Sequence, residues 1–328
     1  MLLATDPLLP LVMLLGAMLL DWLIGDPRWL WRFLPHPVVV LGWLIRLCDH
    51  SFNRLRHADR TRRRLGAITV LLVVGVAALA GLGVREIADR TAQGWIAELL
   101  LVAVLLAQRD LFDHVRRVRR ALEQGGVTAG RDAVSAIVGR DSTRLDQFAV
   151  ARAAIESLAE NFSDGVVAPA FWYLLLGPAG IFAYKALNTA DSMIAHKTPH
   201  YLQFGRAAAR LDDWANWIPA RLSALFLVLA ALAAPGAQPL AAWRTAWREA
   251  RHHRSPNAGW PEAAMAGALD LALSGPRAYD GQILQEPWIG EGRARALPRD
   301  IGHALTLFIL ACLWMALMLV AAIGWLVR

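Results

Sequence analysis

Cysteine is almost missing from this chain of 328 residues: Cys48 and Cys312 are the only two, far apart, and Cys312 lies inside an apolar block. Neither a disulfide framework nor a cysteine metal site is suggested by such a pair. Lysine is as scarce, with Lys185 and Lys197 alone, so the 34 basic residues are nearly all arginine. No GxxxxGK[ST] loop, GxGxxG turn, HExxH helix, GxSxG elbow or CxxC pair occurs, which removes the familiar nucleotide, dinucleotide, zinc and serine-hydrolase signatures. Strand-like alternation, internal repeats and low-complexity tracts are also lacking. What is abundant is apolar: 56% of the residues, against roughly 45 to 50% in an average soluble domain. Mean hydropathy is +0.38.

These apolar residues are gathered in long blocks, which disfavours a soluble two-domain chain. Residues 8–24, 65–83 and 303–327 are long enough, or nearly so, to cross a hydrocarbon layer of about 30 Å as helices. Residues 95–107 make a fourth span if Glu98 sits at the interface or faces the protein interior. Asp6 and the lack of a preceding positive residue speak against a cleaved signal peptide, so the N-terminus is expected to be retained. Two further blocks are irregular: 166–187 is interrupted by Gly177-Pro178, and 218–234 opens on Pro219 and carries Arg221. Broken helices at membrane depth are tolerated where they line a cavity, so these blocks are expected to be re-entrant walls of a site.

The net charge of +7 follows the same plan. Seven arginines fall in 46–64, two in 84–94, nine in 108–165, three Lys/Arg in 188–217 and eight in 235–302. Under the positive-inside rule, the polar segments of about 25–64, 108–165 and 235–302 are cytoplasmic, and the charge is explained by the membrane and not by a nucleic-acid partner. The chain is therefore expected to be one all-α, polytopic, integral-membrane domain over 1–328, multi-pass in the bacterial inner membrane, with broken or re-entrant helices around a polar cavity.

Three clusters carry chemistry. Glu156, Glu160 and Asp164 follow at i, i+4 and i+8, so a helix over 147–164 puts three carboxylates on one face, an oxygen-rich corner suited to Mg²⁺. A solvated face with Asp164-Gly165 as helix stop has the same spacing. Across the broken block, Lys185, Asn188 and Asp191 lie on successive turns of a helix leaving lipid, fit for a metal or a phosphate, or for a snorkelling lysine and a helix-terminal aspartate. Arg206, Arg210 and Asp213 then share one helical face, with Asp212 and Asn216 on the next; such a set can hold metal and phosphate, or form an intrahelical salt bridge. Two turn-rich stretches, around Pro35-His36-Pro37 and Ser255-Pro256-Asn257, add His36 and Asn257.

Read together, Asp21 to Pro27 with Pro35-His36-Pro37, ESLAENFSDGVVAPAFW (156–172), YKALNTADSM (184–193), FGRAAARLDDWANWIPARL (204–222) and SPNAGWPEAAMAGAL (255–269) resemble the CobD/CbiB family of cobalamin biosynthesis over nearly the whole chain. The resemblance implies an adenosylcobinamide-phosphate synthase in the membrane. Such an enzyme joins aminopropanol, or its O-phosphate, to the free propionate carboxylate of adenosylcobyric acid with ATP as activating reagent. That chemistry needs Mg²⁺ at the phosphates, cationic donors and a base. The residues of matching type are Glu160, Asp164, Asp191 and Asp212 for catalysis, with Asp164, Asp191 and Asp212 as Mg²⁺ ligands. Lys185, Asn188, Arg206, Arg210, Asp213, Asn257 and His36 are of the type that binds substrate or phosphate. Aromatic walls at Phe171, Trp172, Trp214 and Trp217 suit the greasy face of a corrin, and lipid contact explains them equally. Expected partners are the corrinoid, the amine and membrane lipids, with a homo-oligomer or contact with other membrane enzymes of the pathway also open. A membrane family associated with beta-lactamase regulation, and a small-molecule transporter, are the rival readings.

Overall fold

The computed structural model describes residues 7–27, 29–138, 142–279 and 282–328. It is all-α, and the chain divides into two compact units.

The first unit takes the residues up to Ala107, then Ala168–Asn216 and the last residues from Ala322. Its helices are α1 (Leu8–Ile24), α2 (Pro37–Phe52), α3 (Asp59–Arg90), α4 (Gly94–Leu105), α7 (Ala168–Ile194) and α8 (Arg206–Ala215). Local sequence sets their ends. Gly25 leaves α1 at φ 66°, with its N–H on the Asp21 carbonyl, and Pro37 opens α2 while His36 Nδ1 accepts the Val38 N–H at 3.1 Å. A core of Ile45, Val70, Val73, Ala77, Ala186, Ala190, Ile194, Phe204 and Ala208 joins α2, α3, α7 and α8. The loop between α7 and α8 is held by the buried Arg62, which donates to Asn53 Oδ1 and to the carbonyls of Pro199 and His200.

Within α7 the chain folds back on itself. Gly177 stands at φ 65°, ψ −152°, a conformation open to glycine, and Pro178 cannot continue the ladder. A Cβ on Gly180 would lie only 2.2 Å from the Trp172 carbonyl oxygen, eight residues back. Trp172 Nε1 donates to the Ala215 carbonyl at 3.1 Å, and the Tyr184 hydroxyl donates to Asn216 Oδ1 at 2.9 Å. Twelve residues of straight helix would separate those two donors by about 18 Å. The block is thus folded back at Gly177-Pro178, where the sequence predicts an interruption, and the contacts of its two arms set the turn.

The second unit takes Gln108–Val167 and Trp217–Ala321. It comprises α5 (Gln108–Ser135, kinked at Gly126), α6 (Gln147–Phe162), a π-turn at Ser163–Val167, α9 (Trp217–Ala233), α10 (Pro239–Glu249), α11 (Gly259–Leu269) and α12 (Pro298–Leu326). Asp146 caps α6 by accepting the Ala149 N–H at 2.7 Å. The buried α11 lies against α6, α9 and α10. The absence of strands expected from sequence is corrected in one place: β1 (Leu273–Ser274) pairs antiparallel with β4 (Trp288–Ile289), and β2 (Arg277–Tyr279) with β3 (Gln282–Leu284). Pieces of two or three residues are too short for alternation to register.

Three helical runs among the described residues are long and apolar enough to cross a membrane: Asp59–Arg90, Gln147–Ile194 and Pro298–Leu326. Their windows are only 28%, 50% and 33% buried within the protein, so much of their apolar surface needs lipid as solvent. The α8 and α9 pair has the composition of a broken span or re-entrant loop. Two expected spans fall close to the bounds foreseen and are short for a full crossing. The 12 residues of α4 reach about 18 Å and the 17 of α1 about 26 Å, against a hydrocarbon core of about 30 Å. Glu98 on α4 faces the interior, accepting from the Tyr173 hydroxyl at 2.6 Å and lying 3.6 Å from Arg85.

Candidate active site

The carboxylates singled out on α7 and α8 come together in the first unit. Asp212, buried at 9% exposure, accepts from Asn216 Nδ2 at 2.9 Å and lies at the long end of hydrogen bonding, 3.5 Å, from Asn188 Nδ2. Asn216 is in turn oriented by the Tyr184 hydroxyl at 2.9 Å, so a buried chain runs Tyr184, Asn216, Asp212, Asn188 across the two helices. Asp191 and Asp213 both lie within electrostatic reach of Asp212, and Lys197 acts on Asp213. Burying carboxylates is costly unless hydrogen bonds or counter-charges hold them, and this set is supplied with amides on two sides.

On the outer face of α8, Arg206 and Arg210 stand exposed one turn apart. Among the described residues neither has a carboxylate partner, so the intrahelical salt bridge that their spacing with Asp213 permits is not formed. Two forked, always-charged donors one turn apart are of the type that holds phosphate. Lys185 is half-buried on α7, where the Thr189 hydroxyl donates to its carbonyl at 2.6 Å. Next to the carboxylates opens an apolar cavity of about 400 Å³, walled by Trp172, Leu176, Gly180, Tyr184, Leu211 and Trp214. Tyr184 belongs to both, its ring to the cavity and its hydroxyl to the polar chain. Of the aromatics predicted as walls, Trp172 and Trp214 line this cavity.

Other predicted residues lie elsewhere. Glu160 is exposed near the end of α6 and Asp164 is half-buried in the π-turn, both in the second unit. The three-carboxylate face expected of that helix is not realised: Glu156 is turned inward and accepts the Ser274 N–H at 2.8 Å, and the π-turn resets the phase before Asp164. Asn257, in the second unit, is buried beside a turn in which Ser255 Oγ accepts the N–H groups of Asn257 and Ala258. His36 caps α2 and packs edge-on against Trp31 at 4.6 Å, which is a structural placement.

Among the described residues no three His, Cys, Asp or Glu form a group able to hold a metal ion by themselves. Mg²⁺ does not need one, because it retains waters and is commonly held by one or two carboxylates together with substrate phosphates. Asp191 and Asp212, with the Asn188 amide beside them, are hard oxygen donors of that kind. Tyr184 and Lys197 are members of the cluster that residue spacing did not assign to the site, and Asn216, which spacing set beside Asp212, had no role of its own. Asn216 was visible as the i+4 partner of Asp212, whereas nothing in sequence shows where a tyrosine in an apolar block aims its hydroxyl.

Comparison with known proteins gives the family of the chain. The family model described as CobD/Cbib protein matches residues 14–308. The chain is 54% identical to "Cobalamin biosynthesis protein CobD" of Sinorhizobium sp, over 93% of this chain and 96% of that protein. It is 50% identical to the protein of that name from Rhizobium meliloti (strain 1021), over 95% and 96%, and 43% identical to that from Rhodobacter capsulatus, over 95% and 98%. No solved structure matches the chain.

Proposed function

This chain belongs to the CobD/CbiB family and takes part in cobalamin biosynthesis, and from that premise we propose that it joins an aminopropanol unit, free or as its O-phosphate, to the free propionate carboxylate of adenosylcobyric acid at the expense of ATP. It would do so in the bacterial cytoplasmic membrane. The observation that carries the reading is the Asp191, Asp212 and Asp213 cluster, in which Asn188 and Asn216 hold Asp212; the helix that bears Asp212 and Asp213 also presents the exposed guanidinium groups of Arg206 and Arg210.

A carboxylate is a poor electrophile and an amine is mostly protonated near neutral pH, so both partners need activation. In the proposed first step a propionate oxygen attacks the γ-phosphorus of ATP and ADP leaves. Arg206 and Arg210 hold the phosphate oxygens as charge shifts toward the leaving group. Asp191 and Asp212 would hold Mg²⁺, which supplies charge neutralisation at the phosphates. The amine enters as ammonium at Asp213, which takes its proton. Its nitrogen then attacks the acyl carbon, and inorganic phosphate departs with the second nitrogen proton to leave the amide. The apolar cavity beside Tyr184 receives part of the corrin, and a substrate that broad would project from a space of about 400 Å³.

The test is direct. Detergent-solubilised chain is incubated with adenosylcobyric acid, either amine, ATP and Mg²⁺, and the corrin is followed by mass. The reading expects an amide product that requires nucleotide and is abolished by EDTA. Amide formation without nucleotide, or undiminished by EDTA, would overturn the mechanism, and no product with either amine would overturn the function.

A further inference from the structure

Arg221 is the basic residue of the apolar helix α9, and its surroundings are unusual. Its guanidinium lies 4.1 Å from the ring centre of Trp217 and 4.6 Å from that of Trp260, with one nitrogen donating to the Trp217 carbonyl at 2.5 Å. Among the described residues it has no carboxylate partner. The cation therefore rests between two indole faces on the wall of a cavity of about 520 Å³ that is otherwise almost wholly apolar. Trp243, Trp247 and Leu225 are also part of the lining, with Trp243 and Trp247 stacked at 6.0 Å. All of these residues belong to the second unit.

The setting is interfacial. Leu240, Trp243 and Trp247 recur on one face of α10 and remain exposed, while Arg244 and Arg248 occupy the same short helix. An amphipathic helix with tryptophans on one face and arginines on another lies along the boundary between headgroups and acyl chains. Cation–π contacts stabilise a guanidinium but leave its charge without an anion, and Arg221, only partly buried, remains accessible to one from the groove. A ligand that matches this groove bears a negative group for Arg221 and apolar bulk for the indole walls. An amide-rimmed corrinoid fits poorly, because the cavity offers it hardly any hydrogen-bonding groups beyond Arg221.

We propose that this groove is a binding site for one anionic phospholipid, with its phosphate on Arg221 and its acyl chains along Trp217, Leu225, Trp243 and Trp247. A headgroup that carries its own cation competes with Arg221 for the phosphate, so an anionic lipid is preferred to a zwitterionic one. Full-length chain stripped of lipid in detergent is titrated with phosphatidylglycerol or phosphatidylcholine, and bound lipid is counted by native mass spectrometry. The site predicts one phosphatidylglycerol held at least tenfold more tightly than phosphatidylcholine, a preference reduced to within twofold in Arg221→Gln and largely kept in Arg221→Lys. Should Arg221→Gln fail to fold, Trp247→Ser at an exposed position is expected to weaken phosphatidylglycerol binding severalfold. Equal binding of the two lipids, an undiminished preference in Arg221→Gln, or full affinity in Trp247→Ser would overturn the proposal. So would displacement of the lipid by millimolar inorganic phosphate, which marks a simple anion site, or by adenosylcobyric acid, which gives the groove to the substrate.

Discussion

Asp212 shows how a residue can be legible from its spacing while its role depends on partners that are not. Its i+4 relation to Asn216 is written in the sequence, and the 2.9 Å hydrogen bond realises it. The link to Asn188 crosses 24 positions, and the Tyr184 hydroxyl that orients Asn216 comes from 32 positions away. Glu156 shows the opposite case: its helical phase put it beside Glu160, but a backbone N–H 118 positions away claims it. Asp191→Asn and Asp212→Asn keep shape and remove charge, and an Asn can still hydrogen-bond where a structural Asp did. Each is expected to lower the turnover of amide synthesis by about a hundredfold or more while leaving thermal stability in detergent little changed. Wild-type rates in both would remove these residues from the site. Arg206→Gln and Arg210→Gln act on phosphate binding. A charge-assisted hydrogen bond of about 1.5 to 3 kcal/mol corresponds to roughly a ten- to hundredfold rise in KM for ATP for each variant. An unchanged KM for ATP in both would mean that these guanidinium groups serve something else.

Elements were easier to read than their directions. The apolar blocks foretold α1, α3, α7, α9 and α12, and Gly177-Pro178 marked where α7 breaks, since a glycine at φ 65° followed by proline has few alternatives. What the pattern could not give is how far the chain turns there, because that is decided by the close approach of Gly180 to Trp172 and by the docking of both arms near Ala215 and Asn216. The approach of α3 to α7 has the same origin. A Cβ on Gly81 would stand 2.5 Å from the Pro178 carbonyl oxygen and 2.6 Å from the Ala179 Cα, whereas one on Gly75 meets nothing within 4 Å. Gly81→Leu must push backbone apart and is expected to cost about 1 to 3 kcal/mol or more. Gly75→Ala is expected to be neutral or stabilising by about 0.5 to 1 kcal/mol, through the lower entropy cost of alanine in a helix. Thermal unfolding of the two variants in the same detergent checks this, and equal midpoints would contradict the packing at Gly81.

At the scale of the molecule, arginine counting and chemistry point in opposite directions. Only three Lys/Arg in 188–217 would place that segment outside, yet it holds Asp191, Arg210 and Asp212, which the proposed reaction would need beside cytosolic ATP. A hairpin at Gly177 that returned the chain to the side it came from would remove the conflict, whereas a full crossing would leave it. A single cysteine at the exposed Thr198, in a background with Cys48 and Cys312 replaced by Ser, is therefore expected to resist an impermeant maleimide in intact cells and to react once the inner membrane is opened. Labelling in intact cells would sink the re-entrant arrangement. The central claim is chemical, that ATP activates the propionate by phosphorylation before the amine attacks, and oxygen tracing tests it most directly. Adenosylcobyric acid carrying ¹⁸O in its free carboxylate is converted by the chain with ATP, Mg²⁺ and the amine, and the phosphorus products are analysed by mass. The account predicts ADP without label and one ¹⁸O atom in the inorganic phosphate for each amide formed. Amide formation with unlabelled phosphate, or with the label in AMP, would contradict it.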